Sequence, residues 1–441
     1  MVGLYSSFII AVVISIVGGR PAMISAATGA VALVVVPLVR DYGVNYLFAA
    51  TILMGILQIL FGILKIGRLM KFIPRSVMIG FVNALGIMIF MSQIEHIFGI
   101  SISTYIYVII TLLIVYIIPR FFKAIPAPLI AIIVLTALYM YTGSDVRTVG
   151  DLGSIKQTLP HFLMPNVPYN LETLQIIFPY SLSMAIVGLV ESLLTAKIVD
   201  DATDTYSSKN KESRGQGIAN VITGCFGGMG GCAMIGQSVI NVKSGANSRL
   251  STFTAGIVLI FMIIVLGGIV VQIPMPILAG IMVMVSVGTF DWTSFKYIQK
   301  APKTDAVVMV LTVIIVLMTH NLAIGVVVGV VFSALFFATK ISKVEVTSEE
   351  FGKVNRMSFK GQIFFVSIDS MMEQINFNIE NSKIELNFND AHLWDDSAVD
   401  AIDTIVRKFE EKNNIVHVEK LNSDSRKIVS ELSKLNENHL N

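Results

Sequence analysis

Long apolar runs, separated by short polar and charged stretches, fill most of the chain up to residue 343. A helix needs about 20 residues to cross the hydrocarbon core of a bilayer, and a half-helix inside a bundle needs fewer. On this basis the pattern predicts thirteen membrane segments. They lie near 4–17, 22–39, 46–64, 76–94, 103–118, 127–141, 174–196, 214–227, 233–246, 250–271, 276–289, 305–318 and 322–340.

Two of these segments follow matching clusters of small residues. The stretch GGRPAMISAATG, 18–29, and the stretch GGMGGCAMIGQS, 227–238, both place glycines before Ala-Met-Ile and small polar residues. Irregular backbone is tolerated within a membrane where it lines a cavity, and many transporters carry one such broken helix in each of two inverted halves. The first turn of a helix exposes unpaired N–H groups and the positive end of the dipole. Two facing helix starts therefore predict an anion site.

The predicted anion site draws on both breaks. Small side chains would let the ligand reach the backbone, and hydroxyls would replace part of its water shell. A competing interpretation is that clusters of Gly, Ala and Ser only permit close helix packing. Recurrence of the motif in both halves favours a binding site. Its expected residues are Ser25, Ala26, Ala27, Thr28 and Gly29 from the first break, and Ala233, Met234, Gly236, Gln237 and Ser238 from the second.

Glu191 is the carboxylate in the middle of an apolar span, SMAIVGLVESLLTAKIV. Burying it ionised and unpaired would cost about 2.5–3.5 kcal/mol or more, so we expect it to be protonated or paired with a cation. Thr195 lies one turn further on and would add an oxygen ligand suited to Na⁺. The alternative is a structural hydrogen bond to a neighbouring helix. Lys197, Asp200, Asp201 and Asp204 are expected to be solvated at the end of this span.

Composition agrees with a multi-pass membrane protein, because 54% of the 441 residues are hydrophobic and only 14% are charged. The six histidines are scattered, and the two cysteines, Cys225 and Cys232, have neither zinc-site nor disulfide spacing. We take both as packing residues. No catalytic or nucleotide-binding motif stands out. The sequence therefore favours neither an enzyme nor a nucleic-acid partner, and it predicts no cofactor besides a coupling Na⁺ or H⁺.

Charge divides the chain near Lys343. Residues 1–343 hold 21 Lys and Arg against 12 Asp and Glu, whereas residues 344–441 hold 11 against 18. If the acidic tail is cytoplasmic, the loops on that side carry 17 Lys and Arg and those on the other side carry 3. This asymmetry follows the positive-inside rule and predicts a plasma-membrane protein with a cytoplasmic tail.

The number of segments is odd, which places Met1 outside. Six segments precede the loop at 142–172 and seven follow it. Two related halves would be equal in number if one further helix preceded residue 1. We therefore expect the first helix of a seven-plus-seven arrangement to be missing.

The tail, 344–441, changes to the alternating pattern of a soluble domain. Strands are predicted at VNRMSFKG, QIFFVSI, KIELNF and IVHVEK. The intervening DDSAVDAIDTIVRKFEEKN predicts a helix, with Asp396 or Ser397 as its N-cap. A small α/β domain follows. The residues expected on the buried face of its helix are Val399, Ile402, Ile405, Val406 and Phe409.

Several motifs together resemble the SulP family of anion transporters, the sulfate permease group. They are GLYSS at 3–7, ISAATG at 24–29, KFIPRSVMIGFVNALG at 71–86, VESLLTAKIVDD at 190–201 and QSVINVKSGANSRLSTFTAG at 237–256. The resemblance covers nearly the whole chain. At the N-terminus it begins only after the family's first helix, so the chain is expected to be truncated there.

The resemblance implies a seven-plus-seven inverted-repeat fold in which a core domain moves against a gate domain in an elevator-like manner. It places the family's anion site at Ala27 and Thr28 and at the stretch from Ala233 to Ser238, and its cation-coupling acid at Glu191 with Thr195 beside it. Some members carry a basic residue where this chain has Gln237. The tail resembles the STAS domain, whose antagonist relatives are phosphorylated at the position of Ser397. The other interpretation of Ser397 is a plain N-cap.

We therefore expect a secondary active transporter of a small inorganic or carboxylic anion, such as sulfate or bicarbonate, coupled to Na⁺ or H⁺ and forming a homodimer in the lipid bilayer. Two alternatives remain open. One is a nucleobase transporter of the same architecture, which would be expected to lack the tail and to carry a second acidic residue near Gln237. The other is a membrane-anchored regulatory scaffold that transports nothing.

Overall fold

The computed structural model describes residues 2–66, 73–121, 125–152, 160–352 and 354–433. The chain forms two compact units, Met1–Val330 and Val331–Asn441.

The first unit is helical apart from two three-residue strands. Its first half contains α1 (Val2–Val17), β1 (Ser25–Ala27), α2 (Gly29–Tyr42), α3 (Val44–Ile63), α4 (Arg75–Ile97), α5 (Ile102–Phe121), α6 (Ala127–Thr142) and the single turn α7 (Val149–Leu152). Its second half contains α8 (Leu171–Thr203), α9 (Lys209–Cys225), β2 (Gly231–Ala233), α10 (Ile235–Lys243), α11 (Arg249–Val270), α12 (Met275–Thr289), α13 (Ser294–Lys300), α14 (Lys303–Thr319) and the start of α15 (Leu322–Ile341).

Each of the thirteen predicted membrane segments falls on a helix. Seven helices in the described part of the chain are long and apolar enough to cross a membrane by themselves. The segments predicted near 22–39 and 233–246 each begin with a strand, β1 or β2, and continue as a helix, α2 or α10. The structure is therefore that of a polytopic helical membrane protein with two broken helices.

The helices contact one another in two groups that repeat across the halves. In one group, Gly55 of α3 lies against the backbone of Gly217 in α9, and Gly256 of α11 lies against Val12 in α1. In the other, Gly80 of α4 lies against Thr312 in α14. Its counterpart is the contact of Gly280 in α12 with Thr111 in α5. Glycine permits this closeness because it has no Cβ. The contacts therefore form two matched pairs, each joining helices of the two halves.

The second unit contains a four-stranded sheet with helices. After the end of α15 follow β3 (Glu345–Phe351), β4 (Val354–Ile363), α16 (Ile368–Met372), β5 (Lys383–Leu393), α17 (Asp396–Glu410), β6 (Ile415–Glu419) and α18 (Ser423–Leu432). The strand order is β3-β4-β5-β6, with β3 antiparallel to β4 and the other neighbours parallel. The predicted small α/β region is present. All five residues expected on the buried face of α17 are buried.

Two local predictions in this unit are wrong. The stretch QIFFVSI is not a strand of its own, because β4 ends at Ile363 and Ser367 closes a turn by accepting from the N–H of Phe364 at 2.9 Å. The N-cap of α17 is Asp395, whose carboxylate accepts from the N–H of Ala398 at 2.9 Å. Ser397 lies inside the first turn of that helix and is half-buried.

Candidate functional site

The two broken helices meet at their starting ends. β1 and β2 pair antiparallel, with Ser25 opposite Ala233 and Ala27 opposite Gly231. Directly after the strands, α2 begins at Gly29 and α10 begins at Ile235. The strand pairing satisfies backbone groups that would otherwise be unpaired inside the membrane. It also brings the two positive helix ends close together.

Helix α9 fixes both strands through two buried amides. Gln216 donates its Nε2 hydrogen to Ser25 Oγ, on β1, at 2.8 Å. Asn220 binds the backbone of Gly231, on β2, accepting from its N–H at 2.9 Å and donating to its carbonyl at 3.1 Å. The same Asn220 amide donates to Gln58 Oε1 of α3 at 2.8 Å. The break is therefore positioned by side chains from whole helices on either side.

Helix α8 holds β2 from another side. Ser192 accepts from the N–H of Ala233 at 3.0 Å. Glu191, on the preceding position, accepts from the thiol of Cys232 at 2.9 Å. Cys232 in turn lies 3.0 Å from Thr28 Oγ1, measured from its sulfur. Because Thr28 is the N-cap of α2, a chain of two hydrogen bonds joins the acid on α8 to the start of α2.

The two helix starts open onto free space. Gly29 and Gly236 are exposed, and a Cβ at either position would meet no atom within 4 Å. Gln237 beside Gly236 is also exposed. Met234, the N-cap of α10, makes no side-chain capping bond, so the first-turn amides of α10 are not satisfied in that way. This geometry suits an anion, which can accept hydrogen bonds from free helix-end amides.

Other predicted site residues are engaged within the protein. The N–H of Ala27 donates to Ser7 Oγ at 3.3 Å, and the N–H of Ala233 is bound by Ser192. Ser238 is fully buried, and its hydroxyl accepts from the N–H of Ile24 at 2.9 Å. Ala27 and Ala233 are therefore fixed to α1 and α8, and Ser238 joins the second break to the first. Met234 does the same through its backbone, because its N–H donates to the carbonyl of Ile24 at 2.9 Å.

Thr195 is fully buried and lies one turn after Glu191, as the spacing predicts. Its hydroxyl donates to the backbone carbonyl of Glu191 at 2.7 Å. An oxygen whose hydrogen is used in this way keeps a lone pair, which can still coordinate a cation.

The prediction that Asp200 is solvated is wrong. Its carboxylate is buried and forms ion pairs with Arg20 at 3.1 Å and with Lys209 at 2.6 Å. Arg20 comes from the loop before β1 and also donates to the hydroxyls of Thr203 and Thr205, both at 2.6 Å. The sequence does not predict this cluster, because Arg20 and Asp200 belong to different halves of the chain and lie 180 residues apart.

Glu212 is a third buried carboxylate of this unit, at a position that the sequence pattern assigns to a loop. It lies in the first turn of α9 and is fully buried. It accepts from the N–H groups of Gly19 and Arg20 at 2.7 and 3.0 Å, and from Gln216 Nε2 at 2.9 Å. The KNKES sequence around it has the pattern of a polar surface, so no local pattern marks Glu212 as buried.

A cavity of about 340 Å³ lies elsewhere, between α3, the start of α8 and the segment near Pro165. Its lining is mainly apolar and includes Ile52, Leu53 and Ile177. A mainly apolar cavity does not provide the donors that an anion requires. The paired helix starts are therefore the candidate site.

Comparisons with known proteins agree with this architecture. A model of the sulfate permease family matches residues 1–116 and 101–312. A protein from Bacillus subtilis strain 168 named "Putative sulfate transporter YbaR" is 56% identical over 98% of this chain and 91% of its own length.

Two solved structures are similar to this one. The transmembrane domain of a cyanobacterium bicarbonate transporter, BicA, has a TM-score of 0.64 and 25% identity, covering 75% of this chain and 89% of that one. Murine Solute Carrier 26 family member A9, an anion transporter in the inward-facing state, has a TM-score of 0.86 over 100% of this chain and 84% of that one. At 16% identity, the second likeness concerns the fold alone.

Proposed function

Because this chain belongs to the sulfate permease family, we propose that it is a secondary active transporter of a small inorganic anion such as sulfate or bicarbonate. The observation that carries the proposal is the meeting of two helix starts, at Gly29 and Ile235, beside open space. Helix-end amides and dipoles attract negative charge without a fixed cation. Gln237, which stands at the opening, adds a neutral polar side chain.

In this proposal the anion binds at Thr28, Gly29, Gly236 and Gln237. Ala27, Ala233, Met234 and Ser238 shape the site through the backbone and through their contacts across the two breaks. The bound anion would accept hydrogen bonds from the first-turn amides of both helices. The two groups of helices described above would move against each other to expose the site alternately, in an elevator-type cycle.

Glu191 and Thr195 form the proposed coupling site for Na⁺ or H⁺. Both are buried on α8, and Glu191 is linked to Thr28 through Cys232. An acid this close to the anion site can tie the binding of a cation to that of the anion. The positive-inside asymmetry supports a plasma membrane location with the STAS-like tail in the cytoplasm.

Uptake into proteoliposomes tests the function. The purified full chain should accumulate radiolabelled sulfate or bicarbonate when a Na⁺ or H⁺ gradient is imposed. Gly236→Trp should abolish uptake, because the indole would fill the open space at the start of α10. Gly288→Trp is the matched control, since Gly288 is also a helical glycine at which an added Cβ would meet no atom within 4 Å, but it lies at the end of α12.

Two results would overturn the proposal. Absence of uptake by the wild-type chain for both anions under both gradients would favour a non-transporting scaffold. Equal uptake by Gly236→Trp and wild type would remove the helix starts as the binding site.

A further inference from the structure

Three aromatic rings form a cluster where α12 ends and α13 begins. The ring centroids of Phe290 and Trp292 are 5.0 Å apart, and that of Phe295 lies 6.0 Å from the first and 6.3 Å from the second. Trp292 also donates its indole N–H to the carbonyl of Val287 at 3.0 Å, which fixes its ring to the end of α12. Trp292 and Phe295 are nevertheless 60% and 56% exposed. The cluster is therefore a fixed apolar surface that the described part of the chain leaves uncovered.

Helix α14 continues this exposed surface toward the interior of the membrane. Val307, Val310 and Ile314 are exposed, and their spacing places them on one face of the helix. Lys303, the first residue of α14, is exposed four positions before Val307 and shares that face. Exposed apolar side chains of a helix that spans the bilayer contact lipid. The face therefore runs from the hydrocarbon core to a positive charge at the start of the helix.

Four basic side chains lie on the elements that meet here. Lys296 and Lys300 are exposed and lie one turn apart on α13. Lys300 and Lys303 are three residues apart, so their Cα atoms are within roughly 11 Å of each other. Arg75, at the start of α4, lies over the ring of Tyr297 at 6.0 Å from its centroid. Positive charge is therefore concentrated next to the aromatic cluster.

Two carboxylates of the same stretch, 289–305, do not cancel this charge. Asp291 accepts from the hydroxyl of Thr293 at 2.6 Å and from its N–H at 2.9 Å, so it is engaged in its own turn. Asp305 is half-buried in the first turn of α14, where a negative charge complements the helix dipole. Four basic side chains against two acidic ones leave a net charge of +2.

We infer that Trp292, Phe295, Lys296, Lys300 and Lys303 form a binding site for an anionic phospholipid of the surrounding bilayer. Aromatic rings at a membrane interface lie at the level of the headgroups, and lysines there attract anionic lipids. The ammonium groups bind the headgroup phosphate, while the rings and the exposed face of α14 contact the acyl chains. A soluble acidic protein could reach the lysines but not a helix face within the hydrocarbon region.

This lipid site goes beyond the proposed transport and is tested without it. The chain has two tryptophans, so the Trp394→Phe variant leaves Trp292 as the sole fluorescent tryptophan. The full chain is reconstituted in equimolar phosphatidylcholine and phosphatidylglycerol, with bromine on the acyl chains of one lipid or of the other. Bromine quenches fluorescence on contact, so quenching reports which lipid lies against Trp292. We expect about a fivefold preference for phosphatidylglycerol, which is the contribution of one lysine near an anionic surface.

Two sets of variants in this background separate recognition of the headgroup from the overall charge of the protein. Lys303→Gln alone should lower the preference, and the triple variant Lys296→Gln, Lys300→Gln and Lys303→Gln should bring it to about one. The control removes the same charge from exposed lysines in other loops that are predicted to lie on the same side of the membrane. It replaces Lys211, Lys243 and Lys340 with Gln and should keep the preference.

Four results would overturn the lipid site. They are equal quenching by the two lipids in the single-tryptophan protein, a preference that survives loss of all three lysines, a preference that the control also loses, and absence of quenching by either lipid. The last result would show that protein, such as a second copy of the chain, covers the aromatic cluster. Because no readout depends on anion uptake, the lipid site can fail while the proposed transport stands, and the reverse.

Discussion

The side-chain amide of Asn220 makes two hydrogen bonds to the backbone of Gly231, at 2.9 and 3.1 Å, and so serves as a strand neighbour for β2. Replacing Asn220 with Ala leaves the N–H and carbonyl of Gly231 without this partner. Each buried unpaired group costs roughly 1–3 kcal/mol, so we expect lower thermal stability and loss of transport. Thermal unfolding in detergent and proteoliposome uptake measure the two effects.

Thr223→Val is the matched control for Asn220. Thr223 is a buried residue of the same helix, but within the described part of the chain its hydroxyl bonds only the carbonyl of Ala219 in its own helix, at 2.7 Å. Transport should survive this change. If Asn220→Ala transported as well as Thr223→Val, the amide would not be needed to position β2.

Gly231→Ala should be far more damaging than its small size suggests. The added Cβ would collide with the carbonyl oxygen of Ala26 on β1, and backbone atoms cannot rotate away as a flexible side chain can. We expect the two strands to separate and the folded yield to fall. Gly236→Ala, which meets open space, should be produced at the wild-type level. Comparable yields of the two variants in size-exclusion profiles would contradict the close strand approach.

Glu191→Gln should abolish cation-driven accumulation while the protein stays folded in the membrane. The amide neither takes up a proton nor carries the negative charge that attracts Na⁺, yet it occupies nearly the same volume as the carboxylate. Uptake would be measured with and without a Na⁺ or H⁺ gradient. Glu172→Gln, an exposed glutamate at the start of the same helix, provides the control. Uptake by Glu191→Gln that still responds to the gradient would rule out the coupling role.

A pH effect is expected in the second unit. Hydrogen bonds from Lys383 and Arg356, at 2.9 and 2.8 Å, hold the pKa of Glu385 below its usual value. A lowered folded-state pKa adds stability above the usual glutamate pKa of about 4.3, and this stability is lost as the pH falls through the folded-state pKa. Wild type and Glu385→Gln should therefore differ at neutral pH and converge in acid.

Hydrogen exchange of the β4 and β5 amides in the full chain measures that difference. Glu345→Gln, at an exposed position of β3, serves as control and should match wild type throughout. A difference in exchange between Glu385→Gln and wild type that grows on acidification would contradict the prediction, because the stabilisation from Glu385 must decrease in acid.

Local patterns are sufficient to predict the membrane segments and the two breaks. Apolar runs mark helices wherever they occur, and glycines beside Ala-Met-Ile mark the broken ones. The small residues also lie, as predicted, where two chain segments approach closely. No local pattern, however, indicates that Ser25 and Ala233 stand directly opposite each other.

The contacts that define the site depend on the tertiary fold. A thiol in an apolar segment carries no local signal beyond packing, yet Cys232 bonds Glu191 and Thr28. Asp200 and Glu212 have polar neighbours in sequence, which is the pattern of solvated residues. Both carboxylates have partners in the loop at Gly19 and Arg20, in the other half of the chain. The predicted cap of α17, Asp396 or Ser397, lies one or two residues after the observed Asp395, because three consecutive residues can all act as caps.

The pairing of β1 with β2 bears on how the protein is made. During synthesis, β1 emerges about 200 residues before its partner. Until β2 is made, the backbone N–H and carbonyl groups of β1 lack their strand partner within the lipid. In a polypeptide comprising only the earlier half, they would stay without it. Stable insertion of the first broken helix must therefore await the arrival of the second, which makes assembly of this region a late event in biogenesis.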